Sequence, residues 1–222
     1  MAHVVIAGAG IVGVSSAIWL QRAGHEVTLV ARMDGALRTI YGNAGVLAAG
    51  AILPVPVPGL ARKLPKMLLS CDEPLFLQWR FLPRLLPFLL KYLSFARADH
   101  VAHSARALSY LLSDSHAQHQ SLAKGTGAER FISDEDFCFG YATEASYLAD
   151  APGRTLRRAH GYEIEALDGA AYGARDPLYS TQFAKVVCYK YSGRISDPGA
   201  YLAALLAHFQ AEGGTVLAAQ ID

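Results

Sequence analysis

Charge of one sign is what this sequence has least of. Its 222 residues carry 20 Lys and Arg against 19 Asp and Glu, for a formal net charge of +1. A chain so balanced offers no electrostatic case for a nucleic-acid partner and none for a polybasic membrane-surface segment. Cysteine is also scarce. The three cysteines, Cys71, Cys138 and Cys188, are widely spaced and sit in no CxxC or CxxH pair. That excludes a disulfide framework and a structural zinc site, so no metal is expected. It also fits a reducing compartment, and the expected location is cytoplasmic. Long apolar runs are missing too. No Lys or Arg precedes Val4-Val5-Ile6 and glycines soon interrupt that run, which excludes a secretory signal. The nearest approach to a spanning helix, residues 81–95, contains Arg84 and Lys91 and is broken by Pro83 and Pro87.

What is present is an ordinary globular composition, 52% apolar, long enough for one large domain or two small ones. The opening residues read as an α/β pattern. Val4-Val5-Ile6-Ala7 is a short β-branched run of the kind found in buried parallel strands. A glycine turn follows over residues 8–13, then a helix over 11–23 with Val14, Ala17, Ile18 and Leu20 toward the sheet, capped by Gly24. Residues 26–30 form a second strand, and a right-handed crossover makes the two strands parallel neighbours. Residues 33–59 hold Gly35, Gly42, Gly45, Gly50 and Gly59 with Pro54, Pro56 and Pro58, which predicts an ordered loop lined by small apolar side chains.

Further on, Pro65, Pro74, Pro83 and Pro87 predict short helices, and residues 99–124 one longer helix. Residues 131–141 with Tyr147 and Leu148 read as strands, residues 153–160 as a helix, and residues 162–167 and 183–191 as strand passages. Asp197-Pro198 is an N-cap followed by proline at the first helical position. That helix runs to about residue 211, and Gly213-Gly214 separates it from a last strand at residues 215–218.

The fingerprint Gly8-Ala9-Gly10-Ile11-Val12-Gly13 is a GxGxxG set between a strand and a helix, inside one βαβ unit. Each glycine has a physical task. Gly8 permits the turn, a side chain at Gly10 would block a pyrophosphate, and Gly13 lets helix and strand pack closely. The helix start offers unpaired N–H groups and the positive end of its dipole to phosphates. The acid that usually ends the second strand and binds the ribose hydroxyls is replaced by Ala31, followed by Arg32.

The segment Arg38-Thr39-Ile40-Tyr41-Gly42-Asn43-Ala44-Gly45, followed by Leu53-Pro54 and Pro58-Gly59, resembles the D-amino-acid dehydrogenase branch of the FAD-dependent glycine/D-amino-acid oxidase family. So do the Leu-Pro-rich stretch around Trp79 and the run Arg194-Ile195-Ser196-Asp197-Pro198. The resemblance implies a Rossmann-type FAD-binding domain with an inserted substrate domain, α+β overall. Residues 1–60 would begin the FAD domain, residues 61–192 would form the substrate segment, and residues 193–222 would return to the FAD domain. Family members continue well beyond this length, so the resemblance implies a truncated, N-terminal portion and leaves open whether it is active alone.

The resemblance implies FAD as cofactor and an amino acid or related amine as substrate, oxidised at its C–N bond by hydride transfer to the flavin. It implies that Gly42, Asn43, Ala44 and Gly45 lie beside the flavin and that Thr39 touches the pyrophosphate. With Gly8, Ala9, Gly10, Ile11, Val12, Gly13 and Arg32, these are the expected cofactor-binding residues; no catalytic residue is assigned. Two other readings stay open. Arg32 without an acid suits an NADP-dependent reductase, and the missing acid also suits a non-catalytic, nucleotide-binding remnant.

The remaining candidates carry less. Arg194 could clamp a substrate carboxylate. The pairs His100/His103 and His116/His119 have i,i+3 spacing, but packing outweighs metal binding because no Cys or carboxylate completes a ligand set. Tyr189 and Tyr191 read as packing residues of a strand before pocket residues. Residues 74–95 read first as inter-domain packing and second as a peripheral membrane contact serving a quinone chain.

Overall fold

The computed structural model describes residues 1–32, 40–62, 78–179 and 182–219. Arg38, Thr39, Cys71 and the helices expected around Pro65 and Pro74 lie outside the described residues.

The opening unit forms as its periodicity requires. Strand β1 (His3–Ala7) leads into helix α1 (Ile11–Arg22), and α1 into strand β2 (Glu26–Ala31). β1 and β2 are parallel, with Val4 opposite Val27 and Ile6 opposite Leu29. The last strand, β9 (Thr215–Ala218), adds to the other side of β2, also parallel, so the sheet order is β1-β2-β9. Helix α8 (Pro198–Ala211) makes the crossover into β9. Its buried Tyr201, Leu202, Leu205 and Phe209 meet Val14, Ala17 and Ile18 of α1 and Val27 and Leu29 of β2 in one core. This is a Rossmann-type α/β sheet. The last turn of α1 ties two other helices to it. Gln21 donates to the carbonyls of Phe209 and Glu212 at the end of α8, and Arg22 donates to those of Ser121, Leu122 and Lys124 at the end of helix α4 (Ser115–Ala123).

Two other three-stranded sheets accompany it, the first of them antiparallel. In one, β8 (Gly193–Ile195) lies between β3 (Val46–Leu47) and β4 (Ile132–Asp134). In the other, β7 (Lys185–Tyr189) lies between β5 (Phe137–Tyr141) and β6 (Ile164–Asp168).

The chain divides into two compact units. One comprises residues 1–49, 114–139 and 187–222, and the other residues 50–113 and 140–186. In sequence, both segments of the second unit are insertions into the first. The second unit contains α2 (Leu82–Ser94), α3 (Ala98–Leu112), α5 (Glu144–Ala149), α6 (Ala151–Ala159) and α7 (Gly169–Arg175). Arg157 of α6 is buried there and donates from Nε to the carbonyl of Gly50 at 2.8 Å.

Three local expectations are corrected. The long helix over 99–124 is two helices, α3 and α4, parted at Ser113-Asp114. Asp114 carries φ −109° and ψ 10°, and its carboxylate accepts from Gln118, a side-chain bond that competes with helix continuation. Tyr147 and Leu148 are helical, because Thr143 and Ser146 close a reciprocal capping box that starts α5. Pro83 and Pro87 do not separate helices. Pro83 sits in the first turn of α2, where its missing N–H is no loss, and the helix runs on through Pro87.

Candidate functional site

The glycine turn joins β1 to α1 with each glycine in a different environment. Gly8 has φ +102°, a left-handed value that favours glycine, and its N–H donates to the carbonyl of Val30 at 2.7 Å. Gly10 is the N-cap residue, extended at φ −78° and ψ −177°, and a Cβ added to it would meet nothing within 4 Å. Gly13 has no such room. A Cβ there would stand 2.0 Å from the carbonyl oxygen of Gly8, so only glycine lets α1 lie this close to the turn.

The first bond of the helix ladder runs from Val14 N–H to Gly10 O at 2.9 Å. The N–H groups of Ile11, Val12 and Gly13 precede it and have no carbonyl in the helix to meet. No side chain caps this end and no acid stands in the first turn. Partial positive charge is thus presented where Gly10 has no side chain and a Cβ would meet nothing. This arrangement suits a pyrophosphate, and the residues fit the cofactor that the sequence implied.

The second expected loop folds against the first unit's core. Asn43 makes an Asx turn: its Oδ1 accepts from Gly45 N–H at 2.8 Å, and its Nδ2 donates to Ile40 O at 2.9 Å. Gly42, Asn43 and Ala44 are exposed and Gly45 is buried. Gly45 has φ +65°, and a Cβ on it would stand 1.9 Å from the carbonyl oxygen of Ile195. In exchange, Ile195 N–H donates to Gly45 O at 2.7 Å. Tyr41 lies so close to Gly199, in the first turn of α8, that a Cβ on Gly199 would come 2.5 Å from its ring.

The structure therefore brings the two loops to a common footing. Ala9 of the glycine turn, Ile40 at the base of the Asx turn and Ile195 of β8 share one buried cluster, with Ile11 packed against it. The supporting role of β8 was missed from the sequence. The signal for it was Gly45 itself, a glycine that a close backbone approach would require. Arg32 follows the end of β2 and is exposed, and Ala31 pairs with Ala218. Thr39 lies outside the described residues.

The other candidates resolve as follows. Arg194 is exposed at the centre of β8, opposite Val46 on one side and Ser133 on the other. Tyr189 is buried and packs edge-on against Phe139, 5.5 Å between ring centres, whereas Tyr191 is exposed at φ +59°. His119 Nδ1 lies 3.0 Å from Tyr201 Oη, and His116 Nε2 lies 3.1 Å from Asp134 Oδ1. Burial, with a smaller contribution from His116, holds the His119 imidazole below its ordinary value, and burial pushes the Tyr201 phenol up. His100 packs edge-on against Phe95.

Residues 3–221 match a family model described as DAO, FAD dependent oxidoreductase. The chain is 35% identical over 221 residues to a D-amino-acid oxidase of Bradyrhizobium diazoefficiens, covering 98% of this chain and 52% of that protein. It is 34% identical over 181 residues to a D-amino acid dehydrogenase of Phenylobacterium zucineum, covering 78% and 41% of the two chains. Among solved structures, the glycine oxidase of Geobacillus kaustophilus superposes with a TM-score of 0.57 at 16% identity, over 96% of this chain and 45% of that one. This chain spans about half the length of the relatives it matches.

Proposed function

The chain belongs to the DAO family of FAD-dependent oxidoreductases, and from that membership we propose that it serves the oxidation of the C–N bond of an amino acid or related amine, D-amino acids foremost. Bound FAD supplies the hydride acceptor for the carbon bearing the amine, whose imine product water then hydrolyses.

The chain's own residues bind and orient. Ile11, Val12 and Gly13 offer their N–H groups to the pyrophosphate, Gly10 leaves the approach clear, and Gly8 and Ala9 set the turn. Ala31 stands where the ribose acid would be, and Arg32 follows it as a cation at the adenosine end. Gly42, Asn43, Ala44 and Gly45 form the loop beside the flavin ring, where the exposed Gly42, Asn43 and Ala44 let backbone N–H groups come close and Gly45 anchors the loop on Ile195. In this reading residues 1–60 and 193–222 belong to the FAD-binding domain, and the substrate domain is drawn from residues 61–192. The names of the two sequence relatives support a D-amino acid as the substrate class.

None of the residues of α2 is buried, and Leu86, Phe88 and Leu90 are exposed beside Arg84 and Lys91. These exposed apolar side chains support the second reading of this segment, a peripheral membrane contact of the kind that would serve a quinone chain. No helix among the described residues is long and apolar enough to cross a membrane.

The observation that carries the reading is the N-terminus of α1, with an open approach at Gly10 and no acid in the first turn. The test is the visible absorption spectrum of the purified chain, with FAD added and then D-amino acids under anaerobic conditions. Flavin bands that bleach with an amino acid support both cofactor and substrate class. Bands that never bleach reduce the chain to a cofactor-binding portion. If no flavin is retained with FAD in excess, the reading fails for this chain.

A further inference from the structure

Cys138 of β5 and Cys188 of β7 lie with their sulfurs 2.6 Å apart and share a hydrogen bond. The strands that carry them face each other. Ala184 N–H donates to Tyr141 O on one side of the pair, and Glu135 N–H to Ser192 O on the other. Cys188 is buried and Cys138 partly exposed. Two covalently bonded sulfurs stand about 2.05 Å apart, so bonding here needs only a small closure, with no movement of strands past one another. The S–H···S contact with Cys138, together with burial, raises the Cys188 thiol well above the usual thiol range, so Cys188 keeps its proton while Cys138 takes the more accessible place.

We propose that Cys138 and Cys188 are a redox-active pair that peroxide converts to an intramolecular disulfide. In the first step the Cys138 thiolate attacks hydrogen peroxide. The O–O bond breaks, Cys138 becomes a sulfenic acid, and hydroxide leaves. In the second the Cys188 thiol attacks that sulfur, the S–O bond breaks as the S–S bond forms, and water leaves. The two sulfurs give up two electrons, the hydroxide takes up the proton that Cys138 lost on becoming a thiolate, and one peroxide yields two waters. The position of the bond gives it a consequence. The chain leaves the first unit after Phe139 and returns at Val187. The disulfide joins the two ends of the inserted segment 140–186 and closes it as a loop, which constrains the unfolded chain and stabilises the folded one. This site is independent of the flavin.

The test uses the full chain, reduced, freed of reductant, and treated with stoichiometric hydrogen peroxide. A tryptic digest kept under non-reducing conditions is expected to join residues 131–154 to residues 186–190, lighter by two hydrogens than the separate peptides. The free-thiol count falls from three to one, the thermal midpoint rises, and dithiothreitol reverses all three changes. Cys71→Ser leaves the linkage and the midpoint rise in place, and Cys138→Ser abolishes both. The proposal is overturned if Cys138 and Cys188 remain thiols, if Cys138 is found as a sulfinic acid, or if it is joined only to Cys71. The wild-type digest decides even where a variant folds poorly.

Discussion

Gly10 and Gly13 stand one helical turn apart and are required for opposite reasons. At Gly13 the obstacle to a side chain is the protein's own backbone, the Gly8 carbonyl at 2.0 Å from a Cβ. Gly13→Ala is therefore expected to lower stability by about 1–3 kcal/mol, read from urea or thermal unfolding. At Gly10 a Cβ meets nothing and φ −78° suits alanine, so Gly10→Ala should keep the thermal midpoint of the cofactor-free protein. It should weaken FAD binding about tenfold or more, roughly 1.4 kcal/mol, measured by flavin titration. If Gly10→Ala destabilises the cofactor-free protein as much as Gly13→Ala, the two roles are not distinct. His119 gives a third residue-scale expectation. Its folded pKa is held below the ordinary 6.5 by burial and by His116. The unfolded chain therefore binds the proton more readily. Stability from this group is fully present above about pH 6.5 and falls as pH drops through that value, by at most about 1.4 kcal/mol per pH unit. His119→Gln, unfolded in urea at pH 7.5 and 5.5 beside the wild type, is expected to show the smaller acid loss. An identical loss in both would remove His119 as the cause.

At the scale of elements, caps and prolines decide more than periodicity. Helix α8 begins where Asp197 Oδ1 accepts from Ala200 N–H at 2.9 Å, as the Asp-Pro pair predicted. Asp197→Ala is expected to cost about 1 kcal/mol. Helix α2 shows the reverse. Pro87 lies inside it, takes no part as a donor and crowds the carbonyl one turn back, at Pro83, yet the helix continues. Pro87→Ala should raise stability, with about 3 kcal/mol as the upper limit, seen as an upward thermal shift. A downward shift would mean that the proline holds a bend the fold needs. The capping box at Thr143 was legible as a Thr with Ser three residues on. The aromatic Tyr147 and the apolar Leu148 beside it masked it, since strand propensity in so short a segment yields to a good cap.

At the scale of the whole molecule, the parallel sheet is covered unequally. The face bearing Val27 and Leu29 is packed by α1 and α8, with both residues buried. On the other face Val5 and Leu217 are 59% and 49% exposed, although parallel sheets are ordinarily covered on both sides. β1 is also an edge of its sheet among the described strands. Leu29→Ala should therefore cost about 2–5 kcal/mol. Leu217→Thr and Val5→Thr in the same chain should stay within about 0.5 kcal/mol. Comparable losses at all three positions would show that the exposed face is packed in solution.

The sequence alone determined the βαβ unit, its glycine turn and the capped helix α8, because each is written in contacts a few residues apart. Period-two and period-3.6 patterns, a proline at a helix start and a glycine where no Cβ fits are local signals. The tertiary structure alone decided that β9 pairs with β2, that Ile195 of β8 lies under Gly45, and that Cys138 faces Cys188. Those partners are 50 to 190 residues apart in the chain. Nothing in either local segment names its partner. The choice comes from burying α1, α8 and the Ile40–Ile195 cluster in one core, where apolar burial is additive and indifferent to distance along the chain.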